Sequence, residues 1–196
     1  MKVACVLRES HEFKVDHVYA LADSILAHNK AEIVCLTNAD INHPAVQKIP
    51  LKYNWPKWWS KLEVFDLCRG PTLYLDLDTV VVGKLPPISM DFTMLKDVYK
   101  EGGFGSGVMS WQQSPLHVYN KFKTNPQLYM NNYATRDKWG DQDFIKDHLG
   151  FKPDTFGSEF KSYKAQCRDY VPDGTKVVYF HGKPRPWDVE LKYPQR

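Results

Sequence analysis

Tyr74-Leu75-Asp76-Leu77-Asp78-Thr79-Val80-Val81-Val82 sets two carboxylates one residue apart within an apolar run bounded by Gly70-Pro71 and Gly83. A run of that length between turn signals predicts a strand covered on both faces. Unpaired carboxylates in such a core would be costly, so Asp76 and Asp78 are expected at the strand's carboxyl end, where a cation offsets their repulsion. Side chains at i and i+2 share one side of an extended chain. Their oxygens should converge on a hard divalent ion, Mn2+ or Mg2+, carrying a diphosphate. The plainer alternative is a turn-capping Asp beside a surface ion pair, and the flanking apolar residues weigh against it.

Upstream, Lys2 to Leu7 predicts a first strand, and Asp16 to His28 carries Val18, Leu21, Ala22, Ile25 and Leu26 at helical spacing. Glu32 to Thr37 predicts a second strand ending at Asn38-Ala39-Asp40. Strand, helix and strand of these lengths form a right-handed crossover with parallel strands. Ligands of open α/β sheets bind outside the carboxyl ends of such strands. Leu7, Arg8 and the Thr37-Asn38 turn should therefore border a nucleotide pocket. Arg8 is either a phosphate or base contact or a solvated loop residue. Asn42 to Trp55 reads as a polar connector delivering Trp55, Trp58 and Trp59, rings too bulky to bury together cheaply. Ser60 to Leu67 predicts a helix with Ser60 as its N-cap and Glu63 completing a capping box. Lys61 would then sit near the first turn, ready for a phosphate or sugar oxygen, or simply face solvent.

Downstream, Phe92 to Leu95 predicts a further strand. Gly102, Gly103, Gly105 and Gly107 follow without a P-loop lysine or the GxGxxG order. They predict a backbone that approaches another group closely before a strand from Val108 to Trp111. Leu116 to Lys123 predicts a helix, Thr124 to Lys138 an irregular connector, and Gly140-Asp141-Gln142 the start of a short helix through Leu149. Lys161 to Arg168 and Lys176 to Phe180 predict two last strands. The second delivers His181-Gly182-Lys183-Pro184-Arg185-Pro186-Trp187, whose His and flanking cations suit a metal-diphosphate site.

With 196 residues the chain has room for one full core, so one domain over residues 1–196 is expected. Hydrophobic content of 43% with 25% charged and 14% aromatic residues is that of an ordinary globular protein and excludes disorder. A formal charge of +3 allows an anionic ligand but falls short of a nucleic-acid-binding domain announced by charge. Cys5, Cys35, Cys68 and Cys167 lack CxxC spacing, which predicts reduced core thiols and a cytoplasmic protein. No apolar run approaches a membrane span.

The Lys61-Leu62-Glu63 helix, the Tyr-Leu-Asp-Leu-Asp-Thr-Val run, Gly105-Ser106-Gly107-Val108-Met109, Gly140-Asp141-Gln142-Asp143 and the terminal His181 to Trp187 loop occur in a telling order. Together they resemble the nucleotide-sugar glycosyltransferases of the A-type fold, and among these the family 8 group of glycogenin and the galactosyltransferases. The resemblance covers nearly the whole chain. It implies an α/β, Rossmann-like single domain, with a mostly parallel central sheet flanked by helices. It further implies that Asp76, Asp78 and His181 hold the metal. Lys61, Asp76 and Leu77 would meet the donor, Ser106 and Gly107 line its sugar, and Asp141 and Gln142 lie beneath it. Lys183 or Arg185 would reach the diphosphate, although the family's usual ending spaces these residues more widely.

The expected activity is metal-dependent transfer of a sugar from a nucleoside diphosphate, UDP most of all, to a hydroxyl on a glycan, a protein or modified DNA. Asp141 is the candidate base if the anomeric centre inverts. Gln142 lies near the reacting face if it is retained, the outcome that the resemblance implies. Two alternatives stand beside this reading. One is a nucleotidyltransferase, which lacks here the Gly-rich, Arg-Lys-containing loop after the first strand. The other is a non-catalytic carbohydrate- or nucleic-acid-binding module using Trp55, Trp58, Trp59 and Lys57.

Overall fold

The computed structural model describes residues 1–194. It runs through β1 (Lys2–Val6), α1 (Val15–Leu26), β2 (Glu32–Leu36), β3 (Val46–Ile49), a 3-10 helix (Lys57–Glu63) and α2 (Val64–Leu67). Next come β4 (Thr72–Leu75), β5 (Thr79–Val81), β6 (Phe92–Lys96) and β7 (Phe104–Trp111). The helices α3 (Leu116–Thr124), α4 (Pro126–Asn132) and α5 (Asp141–His148) precede β8 (Asp154–Thr155), β9 (Phe160–Ser162) and β10 (Val177–Tyr179).

Alternation along β1 builds two cores. Val3 and Cys5 share one with Val18, Leu21, Ala22 and Ile25 of α1, while Ala4 faces another containing Leu62, Phe65, Phe122 and Phe144. The α1 residues recur at i, i+3, i+4 and i+7, which places them on one stripe, and Asp16 in the first turn suits the helix dipole. Leu26, expected on that stripe, is exposed. All four cysteines are free and buried. Among the described residues no helix is long and apolar enough to cross a membrane.

The large sheet has the order β3-β2-β1-β4-β7-β6-β8, and a small one has the order β5-β10-β9. In the large sheet β3·β2, β2·β1, β1·β4 and β6·β8 are parallel, while β7 runs antiparallel to both β4 and β6. The sheet is therefore mixed, with parallel pairs in the majority. From β1 the chain winds outward to β3, then returns to the other side of β1 with β4. That reversal leaves a crevice outside the carboxyl ends of β1 and β4.

Several elements differ from the sequence expectation. The acidic run is not one strand: β4 ends at Leu75 and β5 begins at Thr79 in the other sheet, with Asp76-Leu77-Asp78 as the step between. Strand β7 starts at Phe104 rather than Val108, so Gly105 and Gly107 lie within it. A Cβ on Gly107 would stand 3.4 Å from Asp76 Oδ2, and Asp76 N–H donates to Gly107 O at 2.8 Å. The expected connector from Asn42 to Trp55 contains β3, which buries only Val46 and so shows almost no apolar pattern. The connector from Thr124 to Lys138 contains α4, which buries none of its residues. Its start is nonetheless written locally, for Asn125 Oδ1 accepts from Leu128 N–H at 3.2 Å and Pro126 occupies the first helical position. Of the strand expected from Lys161 to Arg168 only the first residues pair; a wide helical turn, Tyr163–Cys167, follows.

Two side-chain expectations also fail. Ser60 lies inside the 3-10 helix and donates to Lys57 O at 2.8 Å, so it is no N-cap. Glu63 is fully buried and accepts instead from the backbone N–H groups of Lys52 at 2.5 Å and Tyr53 at 3.1 Å. Burial raises its pKa, against those two bonds. Of the three clustered tryptophans, Trp55 and Trp59 are buried against Tyr53 and Phe122, and Trp58 alone is exposed. Glu63→Ala leaves two backbone donors without partners and should cost about 3 kcal/mol in urea unfolding. A cost below about 1 kcal/mol would show that water replaces the carboxylate.

Candidate active site

Two adjoining cavities, of about 740 and 600 Å³, open at the crevice and share a wall of Trp58, Lys61, Asp76, Asp78 and Arg185. The larger lies outside the strand ends and is lined by Val6 at the end of β1 and Arg8 after it, Tyr74 and Leu77 around the end of β4, and Phe13. The smaller is lined by Ser106, Gly107, Asp141, Gln142 and His181, with exposed Tyr99 and Trp139 at its border. Gly140, at φ +70°, turns the chain into α5; a Cβ there would collide with Trp58 Nε1 at 2.5 Å. Trp58 is thereby seated on the backbone beside Asp141.

Lys61 is buried and reaches three groups. Its Nζ lies 3.0 Å from Asp76 Oδ2, 3.1 Å from Asp141 Oδ2 and 3.1 Å from Ser106 Oγ. Ser106 in turn donates to Asp141 Oδ2 at 2.6 Å, and Tyr74 donates its hydroxyl to Asp76 Oδ1 at 2.6 Å. Burial pushes the Lys61 pKa down, but Asp141 and then Asp76 outweigh it and hold the ammonium charged. Burial raises Asp76, and Lys61 and Tyr74 only partly offset that.

Asp78 pairs with Arg185, whose Nε also donates to Glu12 Oε1 at 2.8 Å. The guanidinium covers the Phe13 ring at 5.1 Å, and Trp187 stacks on His17 at 3.6 Å, so the C-terminal loop is fastened to the segment after β1. Burial, then the neighbouring Asp76 charge, pushes Asp78 up to about 7 in spite of Arg185. The bond from Arg185 lowers Glu12. His181 borders the smaller cavity, with its Nε2 2.8 Å from Ser162 Oγ and its ring edge-on to Tyr99. Burial and the charge of Lys164 lower its pKa, which keeps the ring neutral.

Asp76, Asp78, Asp141 and Glu12 thus share two cations, Lys61 and Arg185. With all four ionised, four carboxylates against two cations leave two negative charges, the complement of one divalent ion. The donor set of hard carboxylate oxygens suits Mn2+ or Mg2+. Among the described residues, however, no three His, Cys, Asp or Glu side chains gather round one point. His181 borders the same cavity as the two aspartates without joining them.

The crevice brings together Arg8, Lys61, Asp76, Leu77, Asp78, Ser106, Gly107, Asp141, Gln142, His181 and Arg185 along the two linings. Three expected contacts lie outside both. Leu7 is buried in the core, because its side chain alternates inward, and Asn38 and Lys183 are exposed beyond the linings. Glu12, Tyr74, Tyr99, Trp139 and Ser162 were not singled out from sequence. Tyr74 carried a signal, for it stands two residues before Asp76 and so shares its side of the strand. Glu12 and Ser162 carried none, since the fold alone brings Glu12 to Arg185 from the other end of the chain and Ser162 to His181 from the neighbouring strand.

No protein-family model and no curated protein matches the sequence. Solved structures do match in fold. The galactosyltransferase LgtC, in complex with donor and acceptor sugar analogues, has 15% identity and a TM-score of 0.63, covering 95% of this chain and 89% of its own. The glycosyltransferase GlyE of Streptococcus pneumoniae TIGR4 has 15% identity and a TM-score of 0.64, covering 97% and 56%. The bifunctional glycosyltransferase WbbM has 15% identity and a TM-score of 0.60, covering 94% and 46%. The chain therefore spans about half the length of the last two. It has the A-type glycosyltransferase fold of these enzymes.

Proposed function

We propose that a chain with this fold moves a sugar from a nucleoside diphosphate, a UDP-sugar in the first instance, to a hydroxyl acceptor. The observation that carries this reading is the wall of Asp76, Asp78, Lys61 and Arg185 between two cavities at the reversal of strand order. The nucleotide occupies the larger cavity, with Arg8 and Phe13 along it, and the sugar lies toward Ser106, Gly107 and Gln142. Asp76 and Asp78 would hold Mn2+ or Mg2+, which when bound supplies positive charge to the departing diphosphate. Arg185 adds a fixed donor at the same place, and charge stabilisation of this kind usually dominates such catalysis. Asp141 is already engaged by Lys61 and Ser106, which leaves it a poor base. That supports retention of the anomeric configuration with Gln142 at the reacting face.

The binding-module reading loses most of its stacking surface, since Trp55 and Trp59 belong to the core. A thermal-shift screen of UDP-, GDP-, ADP- and TDP-sugars with and without Mn2+ tests the proposal. One donor, in the presence of the ion, should stabilise the fold by about 2.7 kcal/mol at a hundredfold excess over its Kd. Stabilisation by glycans or DNA with no response to any donor would reject the transferase and favour a binding module. The anomeric proton of the product, followed by NMR, then reads retention or inversion directly.

A further inference from the structure

We infer that His181 serves this site as a hydrogen-bond donor to an anionic oxygen of the bound diphosphate, not as a metal ligand, because Ser162 fixes the ring as its Nδ1–H tautomer. The inference rests on the donor site proposed above, but its premise is a count of protons around one buried hydroxyl.

Ser162 ends β9 and is fully buried. Its Oγ accepts from Ala165 N–H at 3.3 Å, the bond that opens the helical turn. The hydroxyl proton must still be given to something, since a buried donor left unmade is costly. Among the described residues the acceptor within reach is His181 Nε2, at 2.8 Å. Nε2 is therefore the unprotonated nitrogen, and a neutral imidazole then carries its proton on Nδ1. Neither nitrogen has a free lone pair for a metal. Nε2 uses its pair on Ser162, and Nδ1 uses its own to hold a proton.

The surroundings agree. Lys164 acts on the ring against one carboxylate, Asp97, while Arg185 is already paired with Asp78 and Glu12. Lys164 Nζ stands 3.3 Å from where a Cβ on Gly182 would sit, close beside the His181 backbone. The protein's share of the ion's shell is then Asp76 and Asp78, in keeping with ions that take one or two carboxylates and complete the shell with phosphate oxygens and water. A neutral N–H can hold the diphosphate without competing for that ion.

The long-range 1H–15N spectrum of the labelled protein reads the tautomer. Nδ1 should resonate as a protonated, pyrrole-type nitrogen and Nε2 as a pyridine-type one, unchanged when Mg2+ and UDP are added. Ser162→Ala should release the ring, so that an Nε2–H population appears. In calorimetric titrations of UDP with Mg2+, His181→Asn keeps an N–H where Nδ1 was and should retain most of the affinity. His181→Asp, a better metal ligand with no donor, should lose about tenfold or more. A proton found on Nε2 in the parent protein, or the reverse order of the two variants, overturns the inference. Failure of the parent protein to take up UDP would overturn the donor-site reading instead, and the tautomer would still be decided by the spectrum.

Discussion

At pH 8, Asp78→Asn should unfold at a higher urea concentration than the parent protein while losing about a thousandfold in transfer rate. Asp78 is buried, and burial together with Asp76 pushes its pKa up to about 7. In the unfolded chain the group titrates near about 3.9. The folded state therefore binds this proton more tightly. Stability linked to Asp78 is full below the unfolded value and is lost as pH rises through about 7. Above that the ionised carboxylate costs up to about 4 kcal/mol, and asparagine removes the cost. The loss of Arg185's ionic partner reduces the net gain to about 1–2 kcal/mol. Urea titrations at pH 4.5 and pH 8 separate the effects: the two proteins should converge at the acid value and part at the alkaline one. A variant weaker than the parent at pH 8 would mean that the Arg185 pair outweighs the repulsion from Asp76.

Lys61→Met should be the most damaging single change in the wall, at about 3–5 kcal/mol. Methionine fills a similar volume but leaves Asp76 and Asp141 facing one another without the ammonium that now lies within 3.1 Å of each. Adding Asp141→Asn removes one of the stranded charges and should restore about 1–3 kcal/mol, a coupling that a double-mutant cycle measures. Acid should help the single variant for the same reason. The Asp76 pKa is already raised with Lys61 present, and without it the carboxyl takes up its proton at higher pH still. A loss of under about 1 kcal/mol at pH 8 would show that water enters and solvates the pair.

The strand-helix-strand opening was legible because burial and period coincide there: Val18, Leu21, Ala22 and Ile25 mark α1, and β1 and β2 are apolar after their first residues, Lys2 and Glu32. The step at Asp76 to Asp78 was not, since the apolar residues on both sides hide a change of sheet from any test of periodicity. β3 and α4 escaped because strands at a sheet edge and helices lying on the surface need few apolar side chains. Glu63 shows the opposite failure. Its spacing from Ser60 satisfied a capping box, but backbone donors of the preceding loop claimed the carboxylate. Within the site, residue types adjacent in sequence were found readily. Partners joined only by the fold, such as Glu12 with Arg185 and Ser162 with His181, required coordinates.

Because Asp76 closes one sheet and Asp78 sits at the threshold of the other, the gap between the paired acids is a reading of how the two sheets seat against each other. Residues along that seam, Val81 and Val177 among them, lie in a shared core with Leu75 and Leu77. A methyl group added or removed there would retune, from a distance, the affinity for the divalent ion proposed to sit between the paired acids. Directed evolution of this scaffold should accordingly find its gains in the joint as often as in the cavities.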